Sequence, residues 1–190
     1  MSKKILAFYS PYPGAGKSTA ARYLADATDG ISLSFADPLG DIINFVLADM
    51  GLIGKYRWET LRSEMKETPL PELGGASIRK MLLAFGAAGR GIYPNIWVDC
   101  MKHELENTYF PAYFIDDLRF PNEYDMLREA GAKIVRIVNP GREIVPSEAE
   151  TMLEDRDFDW AIVNDTMLGS GHYHTKIDKM MAALFGGTPS

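Results

Sequence analysis

Apolar positions along this chain follow two rhythms. Short apolar runs closed by turn residues occupy 5–10, 31–36, 112–115, 133–138 and 160–163, and each predicts a buried strand. Between them, apolar positions recur at three- and four-residue spacing. That spacing predicts helices over 17–26, from Asp37 to about Met50, and over 77–85, 95–106, 121–130 and 176–185. The first helix presents a stripe of Ala20, Ala21, Tyr23 and Leu24. Asp37-Pro38 reads as an N-cap followed by proline at the first helical position, and Gly131 reads as a helix stop. Residues 51–76 are rich in charge and hold Pro69, Pro71, Gly74 and Gly75, so a short helix and then a loop are expected there. Residues 139–147, with Pro140, Gly141 and Pro146, read as an irregular excursion.

Strand and helix patterns alternate with no internal repeat or linker. The expected fold is α/β: three layers, with a five-stranded parallel sheet and helices on both faces. At 190 residues the chain is expected to be a single domain, or one core with a small insertion. Ligands of such sheets bind beyond the carboxyl ends of the strands. Residues 11–17, Asp37, Asp117, the loop after Val138 and Asn164-Asp165 fall there.

Charge narrows the choice of partner. Twenty basic side chains against 26 acidic ones give a net charge of -6, which disfavours stable binding to nucleic acid or to an acidic membrane. Cys100 has no second thiol to pair with, which excludes an internal disulfide and a CxxC site and fits a reducing, intracellular setting. Lys3 and Lys4 precede apolar residues 5–9, but that stretch is too short for a signal peptide. No run approaches the roughly 20 apolar residues of a membrane span. The expected location is the cytoplasm.

The strongest chemical signal is Pro11-Tyr12-Pro13-Gly14-Ala15-Gly16-Lys17-Ser18-Thr19, lying between a predicted strand and a predicted helix. In that context the pattern reads as a P-loop. Its glycines let successive N–H groups converge on one anion, and the helix N-terminus adds partial positive charge. Gly14, Ala15, Gly16, Lys17, Ser18 and Thr19 are the expected binders of ATP. Lys17 would bridge the β- and γ-phosphates and the Ser18 hydroxyl would ligate Mg²⁺. The sequence departs from GxxxxGK[ST] at its first position, where Pro11 stands; Pro11 and Pro13 have no N–H to give. No Asn-Lys-x-Asp base-reading motif of a GTPase is found. The small size fits a minimal kinase.

Further blocks stand in order: Phe35-Ala36-Asp37-Pro38-Leu39, Ser77-Ile78-Arg79-Lys80-Met81-Leu82, Phe85-Gly86 with Gly89-Arg90, and Asn95-Ile96-Trp97-Val98. Ile115-Asp116-Asp117-Leu118-Arg119-Phe120-Pro121-Asn122-Glu123, Asp159-Trp160 and Asn164-Asp165 follow. With these the chain resembles, over residues 4 to 180, the deoxynucleoside monophosphate kinases of tailed bacteriophages. The resemblance implies transfer of the ATP γ-phosphate to a deoxynucleoside 5'-monophosphate, with Mg²⁺. It also implies small nucleotides as partners, and relatives suggest a homodimer. Many members carry His-x-Ser-Glu after the fourth strand, where this chain has Val145-Pro146-Ser147-Glu148.

Each candidate also has a plainer reading. Asp37 either caps its helix or orients or deprotonates the acceptor phosphate, or holds Mg²⁺ through water. Asp116 and Asp117 point to opposite faces, so one of them can meet the nucleotide; the resemblance selects Asp117. Arg119 either neutralises phosphate or pairs with Asp117 or Glu123. Arg79 and Arg90 suit a bidentate grip on a monophosphate, against a solvated helix surface. Arg142 falls where small kinases carry a lid, and there it could stabilise the transferring phosphoryl group. Trp97 is favoured as core, with a base wall as the lesser reading. His172 and His174 read as a solvated loop.

Together these give a core of 1–38, 108–138 and 157–190, an acceptor-binding helical insert of about 40–107 and a lid of about 139–156. The alternatives left open are a P-loop kinase acting on a nucleoside, a coenzyme precursor or a hydroxymethylated base in DNA, and a nucleotide-binding switch without turnover.

Overall fold

The structure, a computed structural model, describes residues 3–60, 67–143, 151–165 and 170–186. The lid motif beginning at Val145 lies outside the described residues. Five strands, β1 (Lys4–Tyr9), β2 (Ile31–Leu33), β3 (Ala112–Ile115), β4 (Lys133–Val138) and β5 (Trp160–Val163), form one sheet in the order β2-β3-β1-β4-β5. All of its pairings are parallel. The helices are α1 (Lys17–Thr28), α2 (Asp37–Asp49), α3 (Ile78–Ile92), α4 (Ile96–Asn107), α5 (Pro121–Glu129) and α6 (Ser170–Phe185). This is the three-layer arrangement of P-loop NTPase-like proteins.

The chain divides into two compact units, 1–34 with 102–190, and 35–101. In the first, the sheet is buried on both faces. Leu6 and Phe8 of β1, Phe114 of β3 and Ile137 of β4 meet Ala21 and Leu24 of α1 and Ile177 and Met180 of α6. The residues between them, Ile5, Ala7, Tyr9, Tyr113 and Ile115, are just as buried on the other side. Both alternations of the strand are therefore apolar, which is why 5–9 reads as a continuous run. On that second side α5 buries Tyr124 and Leu127, and the Tyr124 hydroxyl donates to the Asp157 carbonyl at 2.6 Å. Burying such side chains contributes about 1.5–3 kcal/mol each.

The second unit has its own core of Ile43, Leu47, Tyr56, Trp58, Leu70 and Ile78. Two glycines are required by close approach. A Cβ on Gly40 would lie 2.2 Å from Trp58 Nε1, and one on Gly89 would lie 2.3 Å from Trp97 Cζ2.

Several elements differ from the sequence pattern. Helix α3 runs to Ile92, seven residues past the predicted end at Phe85. The added turns hold Gly86, Gly89 and Gly91, and Gly89 is there to admit Trp97. Helix α6 begins at Ser170, so His172 and His174 are helical and not in a loop. The His174 ring stacks on Tyr23, centroids 4.1 Å apart, and the Tyr23 hydroxyl donates to Asp178 at 2.9 Å. Asp37 is the first residue of α2; the N-cap is Ala36, so the predicted capping role for Asp37 does not hold. Pro38 has no N–H to give the helix ladder, and Asp37 adds a first-turn carboxylate instead.

Candidate functional site

Strand β1 occupies the middle of the sheet, between β3 and β4. The connection leaving it goes toward β2, whereas β4 and β5 lie on its other side. The carboxyl end of β1 is thus the point where the strand order reverses, the usual place for a ligand crevice. The glycine-rich loop 10–16 emerges there and leads into α1.

Two glycines give the loop its shape. Gly14 (φ +67°) and Gly16 (φ +102°) take left-handed backbone conformations that other residues rarely adopt. Gly16 also serves as the N-cap of α1, with no side-chain cap. The first N–H to join the helical ladder is that of Ala20, which reaches the Gly16 carbonyl at 3.0 Å. The N–H groups of residues 17–19 therefore stand at the open, electropositive end of the helix. The Ala15 N–H is spent on a turn, donating to the Tyr12 carbonyl at 3.3 Å. The Tyr12 N–H donates to Ser10 Oγ at 3.2 Å, so the proline-rich start of the loop carries its own tight turn. Lys17 Nζ lies 3.4 Å from the Ser10 carbonyl, folded back across the mouth of the loop.

Three other segments of the same unit bear on this loop. At the end of β4, Asn139 is fully buried; its Oδ1 accepts the Gly141 N–H and its carbonyl accepts the Arg142 N–H, both at 3.1 Å. That turn places the Arg142 guanidinium beside the loop, where its Cζ lies 3.7 Å from the position of a Cβ on Gly14. At the end of β5, Asn164 Nδ2 donates to the Ala15 carbonyl at 2.8 Å. From α6, the Tyr173 hydroxyl donates to the Gly16 carbonyl at 3.1 Å. Burial pushes the Tyr173 phenol well above its ordinary range, so the hydroxyl keeps its proton. Sequence patterning assigned no role to Asn164 or Tyr173; Asn164 stood out by its place at a strand's carboxyl end, and Tyr173 gave no signal.

At the end of β3 the two aspartates separate as the strand geometry requires. Asp116 is buried and its N–H donates to the Leu33 carbonyl at 3.2 Å. Asp117 is half-buried and accepts the Ser34 hydroxyl at 2.5 Å. Glu123 Oε2 accepts the backbone N–H groups of Arg119 and Phe120 at 2.9 and 3.0 Å. Glu123 thus fixes the turn that carries Arg119 into α5.

In the second unit, Ser77 caps α3 by accepting the Lys80 N–H, and Arg79 in the first turn pairs with Glu67 at 3.3 Å. Arg90 sits in the last turn of α3, its guanidinium folded toward Gly86. Trp97 is buried against Gly89 and its Nε1 donates to the Gly86 carbonyl at 3.1 Å. The structure thus brings Gly14 to Thr19, Arg142, Asn164 and Tyr173 together within the first unit. Asp37, Arg79, Arg90 and Trp97 belong to the second.

Among the described residues, no group of three or more His, Cys, Asp or Glu side chains could hold a metal ion. A hydroxyl such as that of Ser18 fits a magnesium ion that arrives coordinated by nucleotide phosphates, as is usual for that ion. No helix of the described residues is long and apolar enough to cross a membrane.

Fold and loop together define the class, an α/β protein with a P-loop NTPase-like three-layer fold. No protein-family model matches the chain. A protein of Acanthamoeba polyphaga mimivirus, provisionally named a deoxynucleotide monophosphate kinase, is 32% identical over 170 residues, covering 80% of this chain and 84% of that protein. The chain belongs to the deoxynucleotide monophosphate kinase family.

Proposed function

We propose that the chain transfers the γ-phosphate of ATP to a deoxynucleoside 5'-monophosphate, giving the diphosphate. The observation that carries the reading is the loop 10–19: two left-handed glycines turn the chain into the open end of a 12-residue helix, with a lysine at the first helical position. Family membership supplies the substrate class.

Phosphoryl transfer asks little covalent chemistry of a protein and much positioning and charge stabilisation. The N–H groups of Gly14 and of residues 16–19 hold the donor phosphates. Lys17 swings from the Ser10 carbonyl to the β- and γ-phosphates. Arg142, already against Gly14, meets the charge that builds on the transferring group. The Ser18 hydroxyl would hold a magnesium ion brought by the nucleotide, which would neutralise phosphate charge there. Arg79 and Arg90 grip the acceptor phosphate and Asp37 orients it. Asp117 and Arg119 complete the carboxyl edge of the sheet, Asp117 contacting the nucleotide. Trp97 enters as the packing partner of α3, and so as support for Arg90.

The test is a coupled ATP/ADP assay over dTMP, dGMP, dCMP, dAMP and base-modified forms, with magnesium. Turnover with at least one of them is expected. Turnover with none ends the reading.

A further inference from the structure

Two of the loop's carbonyls are held by side chains from outside it. Asn164 Nδ2 donates to the Ala15 carbonyl at 2.8 Å and the Tyr173 hydroxyl to the Gly16 carbonyl at 3.1 Å. Both donors are buried, at 7% and 4% exposure. Neither lies near the loop in sequence, and each is held in turn. The Asn164 N–H donates to the Val138 carbonyl at 2.8 Å, continuing the β4–β5 ladder by one residue. Lys176, three residues along α6 from Tyr173, donates to the Val163 carbonyl at 2.7 Å. Strand end, helix and loop are thereby tied into one unit.

The consequence follows from peptide geometry. In a planar trans peptide the C=O and the next N–H point in opposite directions. Fixing the Ala15 carbonyl on Asn164 turns the Gly16 N–H away from Asn164. Fixing the Gly16 carbonyl on Tyr173 and on the Ala20 N–H does the same for the Lys17 N–H. Such a loop needs support, because two of its first four residues, Pro11 and Pro13, are prolines that donate nothing and Ala15 has spent its N–H on Tyr12. The donors that remain count for more, and their direction is set by these two bonds. The contact is also tight: a Cβ on Gly16 would lie 2.6 Å from Asn164 Nδ2 and 3.2 Å from the Tyr173 hydroxyl.

We propose that Asn164 and Tyr173 are positioning residues that preset the loop for phosphate, aiming the Gly16 and Lys17 N–H groups before any nucleotide arrives. This rests on the loop's reading as the phosphate-binding element and goes beyond it, since neither residue touches substrate. Preorganisation of this kind shows as affinity, because binding no longer has to order the donors.

The experiment compares the parent chain with Tyr173→Phe, which removes only the hydroxyl, and with Asn164→Ala. Calorimetry measures the affinity of each for Mg-ATP and for inorganic tripolyphosphate, and thermal melts are taken without ligand. Each substitution is expected to weaken both probes by about three- to tenfold, the value of one hydrogen bond. In turnover, KM for ATP rises and KM for the monophosphate does not. A purely structural role would lower the melting temperature and leave the affinity of the folded protein unchanged. If Tyr173→Phe binds both probes within twofold of the parent, the proposal is overturned even where Asn164→Ala fails to fold. Failure of the kinase reading looks different: the parent binds tripolyphosphate, the variants bind it less well, and no monophosphate is phosphorylated.

Discussion

The two ends of the central sheet use polar groups in opposite ways. At the amino ends of β4 and β5, charges are spent on one another. Asp159 accepts Lys133 at 3.0 Å and the Ile134 N–H at 2.9 Å, and it also pairs with Arg128. At the carboxyl ends of β4 and β5, neutral groups hold the loop and the turn beside it: Asn164 and Tyr173 donate to carbonyls, and Asn139 shapes a turn. The cations there, Lys17 and Arg142, lie against a carbonyl and a glycine. The amino end is joined by ion pairs around Asp159, and the carboxyl end places the cations Lys17 and Arg142 beside the loop. A net charge of -6 is compatible with polyanionic substrates for this reason: the count describes the whole chain, and the distribution describes the site.

The comparison is broken most sharply at Lys17. Lys17→Ala is expected to lower turnover by about 10²–10³-fold, the scale of losing a charged donor at a transferring phosphoryl group, with little change in melting temperature. A coupled assay beside a thermal melt checks both, and near-parent turnover would remove the loop from the mechanism. Arg142→Ala comes next, with an expected loss of about tenfold or more in kcat, the scale of one charge-assisted hydrogen bond. Steady-state kinetics with ATP and the best monophosphate decide it.

At the other end the signature reverses. Asp159→Ala is expected to cost about 1–3 kcal/mol of stability, read by urea unfolding. Turnover per folded molecule should stay unchanged, and a selective loss of kcat would contradict the division of labour. The smallest effect is its pH dependence. Burial alone would raise the Asp159 carboxyl, but the Ile134 N–H, Lys133 and Arg128 outweigh it and hold the group below its ordinary 3.8. A depressed carboxylate stabilises the fold fully above its unfolded value, about 3.9, and loses that contribution as pH falls through the folded one. The gap in melting temperature between the parent and Asp159→Asn should therefore be constant near neutrality and shrink below about pH 4. A gap that widens in acid would reverse the assignment.

Much of the fold is visible in the sequence because both of its rhythms are strong. The strands 112–115, 133–138 and 160–163 coincide with the observed bounds, since each is a short apolar run closed by polar or turn residues. Strand order is not visible, because apolar runs of this kind specify burial and not neighbours. The extent of α3 is hidden for another reason. Helix propensity counts Gly86, Gly89 and Gly91 against it, whereas tertiary packing requires a glycine at 89 to admit Trp97. In the loop, Gly14 to Thr19 stand out because the chemistry is local. The bonds of Asn164 and Tyr173 to the loop are not visible, because the Ala15 and Gly16 carbonyls they meet are 149 and 157 residues away. Asp159 belongs to the blocks that carry the family resemblance, yet its contacts give it the work of joining β5 to β4.

The glycine sockets have an optical consequence. Of three tryptophans, Trp58 and Trp97 are buried in the unit 35–101, each pressed against a glycine, while Trp160 in the other unit is 39% exposed. Excited at the red edge of indole absorption, the chain should emit as two populations, a blue-shifted one from residues 35–101 and a red-shifted one from the sheet. Iodide should quench the second first. The molecule thus carries its own pair of colours, by which the melting of either unit can be followed without adding a dye.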